Sequence, residues 1–283
     1  MKSTAGAGVA SILMDETAIL NPAPIAFFNE TSFYLQKLST TSHKAQVTNS
    51  DEGTNSNSEV IPLKSDSYGV ILSDGKNQLK GSLSLQKQQE FGRERERISV
   101  AGGMPAGQLS SFGILYRWTK DSNIEGPKEE DKYHQLTVGA IHAINENLSF
   151  GAIIVDPLGI KKDDMNAVLG TQYLFEKIIS FMVDIGGNYD KDLTETFFYK
   201  AATQLNFFDD FYVRVGTFKD KGLNEKGNGM GVSWLTPKLL IELAYKNTKP
   251  LESDITKTSS TYLVNKPKYE SMKDVSLSFS YRF

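Results

Sequence analysis

From Thr31 to the last residue, apolar side chains recur at every second position, and the connections between these runs alternate between tight and long. A period of two puts alternate residues on opposite faces of a β-strand. The last run states the pattern most regularly: Val275, Leu277, Phe279, Tyr281 and Phe283 alternate with Ser276, Ser278, Ser280 and Arg282. Strands of roughly ten residues, joined by short turns on one side and longer loops on the other, mark a transmembrane β-barrel, whereas soluble sandwiches use strands of about five or six. No window approaches the roughly 18 consecutive apolar residues a spanning helix requires, so a chain like this one crosses a membrane only as strands. The expected fold is all-β: a transmembrane antiparallel barrel of about 14 strands, with both termini on the side of the tight turns.

The outward sets are explicit in several strands: Phe112, Ile114, Tyr116 and Trp118; Leu148, Phe150, Ala152 and Ile154; Ile179, Phe181, Val183 and Ile185; Leu239, Ile241, Leu243 and Tyr245. Leu115 is an apolar exception on an otherwise polar inner face. Tight turns are expected at Asp74-Gly75-Lys76-Asn77, where Asp-Gly supplies the positive φ that close hairpins favour, and at Asn145-Glu146-Asn147 and Thr236-Pro237-Lys238. Polar loops are expected at Thr41 to Pro62, Glu90 to Glu96, Lys120 to Lys132, Lys219 to Asn228 and Asn247 to Glu270.

Composition narrows the function. Hydrophobic residues make up 39% of the 283. The mean hydropathy of -0.33 is compatible with a membrane barrel because only every second strand residue meets lipid. There are no cysteines, hence no disulfides and no thiolate metal sites. A net charge of -3 argues against a nucleic-acid partner, which needs a clustered basic surface. The histidines, His43, His134 and His142, lack metal-binding spacing, and no Gly-x-Ser-x-Gly elbow, phosphate loop or EF-hand is present. The chain therefore reads as a non-enzyme without metal or cofactor. No basic stretch followed by a long apolar run opens it, so it reads as a mature form.

Residues 1–30 are different. Thr4 to Asn29 is apolar and Gly/Ala-rich, with helical spacing at Ala10, Leu13, Met14 and Ala18, and Pro22 and Pro24 are expected to stop any helix and hold an extended or turn conformation. This segment is expected to be a partly helical plug inside the lumen of a barrel formed by residues 31–283. Taken by itself, it also fits an ordinary helix packed on a soluble domain.

Ala5-Gly6-Ala7-Gly8-Val9-Ala10, then Asp15 and Ala18, and above all Asn21-Pro22-Ala23 directly before the first strand resemble the N-terminal hatch of the FadL family of outer-membrane transporters and its PorV-type relatives. Those families usually continue Asn-Pro-Ala with Gly, where this chain has Pro24. The closing strand, with Phe279, Tyr281 and a terminal Phe283, resembles the signal read by the outer-membrane assembly machinery. The resemblance implies an integral protein of the bacterial outer membrane, termini periplasmic, that passes small hydrophobic or amphipathic compounds past a gating or occluding plug. The implied partners are the lipid bilayer, the assembly machinery and a small hydrophobic ligand. The alternative is a closed barrel that acts in surface interaction or secretion without transport.

If apolar faces meet lipid, the lumen receives Lys80, Arg97, Arg117, Lys200, Arg214, Lys246 and Arg282, opposed by Asp184 and Glu242. Charges so confined are costly unless paired, and Asp15 and Glu16 of the plug are candidate partners. The basic groups then either pin the plug or form a route for an amphipathic or anionic solute. Gly81, Gly102 and Gly103 are candidates for a bend that opens a gap in the wall, since strand glycines mark bulges and close approaches.

Overall fold

A computed structural model describes residues 2–11, 17–44, 61–77, 80–90, 93–123, 130–208, 210–251 and 269–283. Fourteen strands form one closed antiparallel barrel in which each strand pairs with its sequence neighbours and the last with the first. They are β1 (Ser32–Lys44), β2 (Ile61–Asp74), β3 (Lys80–Glu90), β4 (Arg93–Pro105), β5 (Ser110–Asn123), β6 (Glu130–Ala143) and β7 (Leu148–Val155). After these come β8 (Asn166–Phe175), β9 (Ile179–Asn188), β10 (Phe198–Phe207), β11 (Phe211–Asp220), β12 (Glu225–Leu235), β13 (Leu239–Pro250) and β14 (Tyr269–Arg282). Closure leaves no free edge, the condition for strands to lie in hydrocarbon.

The pairing register shows why the sequence period works. Tyr68, Tyr116, Trp118, Tyr199 and Tyr245 lie farther from the tight turns along their strands, an upper girdle, and Phe175, Phe207, Phe211, Trp234, Tyr281 and Phe283 lie beside the tight turns, a lower one. Aromatic girdles on either side of an apolar band are the pattern of a barrel's lipid-facing surface. His134 lies at the upper girdle, stacked on Tyr116 with ring centroids 5.9 Å apart. His142 faces outward near the lower girdle, with Nδ1 2.7 Å from the Ser110 hydroxyl.

The wall is uneven. Strands β2, β5, β6 and β14 have 14 residues each, whereas β7 has 8 and β8 to β10 have 10. Within the expected loop Glu90 to Glu96, β3 runs to Glu90 and β4 already starts at Arg93, with Glu90 opposite Arg93 and Glu96 opposite Lys87. The expected loop Lys120 to Lys132 is likewise shortened, because β5 runs to Asn123 and β6 starts at Glu130. These charged runs stay extended because acids and bases face each other across the ladder: Lys87–Glu94 at 2.8 Å, Arg95–Asp121 at 2.6 Å and Lys120–Glu130 at 2.9 Å.

The N-terminal segment lies against the inner wall. Its described helix is one turn, α1 (Thr17–Leu20), which ends before Pro22, and Pro22 and Pro24 then open a 3₁₀ turn over Ala23–Phe27. Proline is tolerated at the start of a helical turn because its missing N–H has no partner there anyway. Ala5, Gly6 and Gly8 have positive φ, so residues 2–11 coil through tight turns. Leu115, the apolar exception of β5, packs with Ala101 on Ile25 of this segment, and Val9 packs on Ile153, Val168 and Phe198.

Candidate functional site: the lumen and its ring of cations

Asn21-Pro22-Ala23 is seated on two glycines. A Cβ on Gly113 would lie 2.3 Å from the carbonyl carbon of Pro22, and one on Gly139 would lie 2.1 Å from Asn21 Oδ1. Only a missing side chain lets the backbones approach so closely. Asn21, fully buried, donates from Nδ2 to Val9 O at 2.7 Å and Ala140 O at 3.3 Å, and its Oδ1 accepts from Ala23 N at 3.0 Å. Ser111 donates to Ala23 O at 2.7 Å and Ser149 to Ala10 O at 2.9 Å. Gly103 has a similar place: a Cβ there would meet Ala26 N at 2.6 Å. Through Gly81, Gly102 and Gly103 the β3–β4 ladder runs without a register shift.

The two acids of the expected lumen set hold the same segment. Asp184 accepts from Gly8 N at 2.7 Å and Val9 N at 3.1 Å, and the positive φ of Gly8 belongs to the turn that presents both donors. Glu242 accepts from Ser3 Oγ at 2.7 Å on one oxygen and from Arg214 and Ser233 on the other. Arg214 also donates to Gln204 at 2.7 Å and Ser233 at 2.8 Å. Lys80 donates to Phe28 O at 2.6 Å. Arg282 has its own partners near the tight-turn end. Asp15 and Glu16 lie outside the described residues.

The other four expected lumen cations come together above this layer, around a cavity of about 420 Å³. Arg97, Arg117, Lys200 and Lys246 line it, together with Lys2, the apolar Ile19, Leu20, Leu38, Ile71, Ile153 and Val155, and the amides Gln36, Gln86 and Gln88. Lys2 is paired with Asp274 at 2.5 Å. Lys246 lies 4.2 Å from the centre of the Phe218 ring and Lys200 5.0 Å from that of Phe198, contacts that favour a cation without neutralising it. Arg117 reaches Ser99 Oγ at 3.3 Å and Ile19 O at 3.5 Å, and the buried Nε of Arg97 has no hydrogen-bond partner among the described residues.

Sequence reasoning missed the Lys2–Asp274 pair, the glycine seats at Gly113 and Gly139, and the apolar cavity wall. Its apolar contacts were partly visible: Leu115, Met182, Ile153 and Val168 are large apolar residues at inward positions, each packs on the N-terminal segment or its near neighbours, and Ile153 also lines the cavity.

No family model matches the chain, and no curated protein matches it by sequence. Its fold matches those of solved barrels at low identity. The structure titled "CymD monoaromatic hydrocarbon channel" aligns with a TM-score of 0.69 and 10% identity over 99% of this chain and 96% of that one. The toluene transporter TbuX of Ralstonia pickettii aligns with a TM-score of 0.64 and 10% identity, over 99% and 97% of the two chains. The toluene transporter TodX of Pseudomonas putida gives 0.64 and 10% over 98% of each. All three are named as channels or transporters and none as an enzyme. The chain has the fold of the FadL-like outer-membrane β-barrels.

Proposed function

We propose that this barrel is an outer-membrane channel for small hydrophobic or amphipathic compounds, with the N-terminal segment closing the lumen on the side of the tight turns, which faces the periplasm. The observation that carries this reading is the cavity inside the barrel above that segment, which combines an aliphatic wall with cations and amides. Ligand sites are typically such part-apolar hollows with a few placed polar groups. The named activities of CymD, TbuX and TodX support it by likeness of fold. The test is uptake of toluene and benzyl alcohol by bacterial cells carrying in their outer membrane the intact protein, a variant lacking residues 2–28, or neither. Uptake above that of cells without the protein, increased by the deletion, is the expected result. No increase in either case sinks the reading in favour of a closed barrel.

The same reading assigns Phe279, Tyr281 and Phe283 to assembly, since the first two face outward on β14, the strand that closes the barrel onto β1, and Phe283 follows it, exposed. Phe283→Ala is expected to lower the amount of assembled barrel in the outer membrane several-fold, read as the compact band on an unheated gel. Barrel refolded in detergent is expected to keep its unfolding midpoint, because a rim side chain that is 55% exposed contributes little packing. An equal loss in both measurements would make Phe283 a stability residue.

A further inference from the structure

We infer that Arg97 and Arg117 form an anion site on the cavity wall, and that the preferred solute is a small organic anion carrying an apolar ring or short chain. This rests on the channel reading above and names its substrate class.

The two guanidiniums project into the lumen from neighbouring strands, since Arg97 pairs with Thr119 and Arg117 with Ser99 across the β4–β5 ladder. The acids nearest to them are already engaged. Asp121 takes both a 2.6 Å and a 2.8 Å hydrogen bond from Arg95, and Asp164 accepts from Gln135 at 2.8 Å. Among the described residues no carboxylate reaches Arg97 or Arg117. Arg117 has two long contacts to neutral oxygens, and Arg97 has a buried Nε with no hydrogen-bond partner among the described residues.

Two like charges side by side and part-buried, with no counterion among the described residues, favour the arrival of an anion. Guanidinium is the group best matched to a carboxylate or sulfonate, through paired N–H donors. Lys200 and Lys246 add positive potential on other parts of the same cavity. An inorganic anion would satisfy the charge but leave Ile71, Ile153, Val155 and Leu38 against water. A carboxylate or sulfonate with an apolar body uses both kinds of wall, and burial of that body contributes favourably.

The test is titration calorimetry on the full-length protein in detergent with 4-phenylbutyrate and its neutral counterpart 4-phenylbutanol. The anion is expected to bind at least about tenfold more tightly, roughly the contribution of one charge-assisted pair. R97Q/R117Q is expected to lower the anion's affinity about tenfold, to that of the alcohol, and R97K/R117K to retain part of the preference. Gel mobility before heating checks that each variant is folded. Equal binding of acid and alcohol, unaffected by R97Q/R117Q, overturns the anion site and leaves a channel for neutral compounds standing. Binding of sodium sulfate as tight as that of phenylbutyrate overturns the apolar half of the inference. Binding of neither organic probe removes the channel reading itself.

Discussion

Glu242→Ala is expected to destabilise the barrel by about 3–5 kcal/mol, the cost of leaving a buried charge without its partner. Arg214 is 5% exposed, and Glu242 is its only carboxylate partner among the described residues. Gln204 and Ser233 would still accept hydrogen bonds from the guanidinium, but neither carries charge. The same substitution removes the acceptor of Ser3 Oγ, so the start of the N-terminal segment loosens as well. Equilibrium unfolding in urea, with the barrel in lipid vesicles, measures the loss. The double variant R214M/E242L is expected to recover most of it, because a well-packed apolar pair avoids the desolvation that the ion pair has to offset. A single variant as stable as the parent would mean that water reaches Arg214 freely.

Gly139→Leu is expected to displace the Asn21-Pro22-Ala23 turn while leaving the barrel closed. The new Cβ alone would sit 2.1 Å from Asn21 Oδ1 and 2.9 Å from Pro22 Cδ. Overpacking of this kind costs about 1–3 kcal/mol, and the segment is more easily moved than a strand paired on both sides. Cleavage within residues 2–30 by added protease is expected to rise on the order of tenfold, the factor that corresponds to about 1.4 kcal/mol of a local opening equilibrium. Gly69→Leu is the control: Gly69 also lines the cavity, yet a Cβ there meets nothing within 4 Å. Protection unchanged in Gly139→Leu would show that the turn and β6 shift together to admit the side chain.

These two sites differ in how far the sequence announced them. Arg214 and Glu242 are polar residues at inward positions of alternating strands, so strand period alone places both in the lumen. Their mutual contact depends on barrel register, because 28 residues separate them in the chain. Gly139 carries no such mark. A glycine between Val138 and Ala140 reads as a neutral strand position until the backbone of Asn21 is seen against it. Leu115 and Ile153 are intermediate cases. They are visibly out of pattern on the polar face, and the pattern-breaking residue is the one that touches the N-terminal segment or lines the cavity above it.

The ends of the strands went the other way. Runs such as Glu94, Arg95 and Glu96 look like loop in one dimension, because local charge density opposes burial. In the barrel they lie beside Lys87, Asp121 and Lys120 of neighbouring strands, and pairing across the ladder keeps them extended.

By itself, then, the sequence determined the strand period, the two faces and the even, closed count, because whether each side chain meets lipid or lumen depends only on its parity along the strand. It also determined that cations would exceed acids inside. Only the tertiary structure decided which charges are satisfied. Asp184 and Glu242 are held by backbone and side-chain donors of the N-terminal segment, while Arg97 and Arg117 face an open cavity. That division follows from how 14 strands are staggered around the ring and from where a coiled segment meets glycine, and both depend on pairings between residues far apart in the chain.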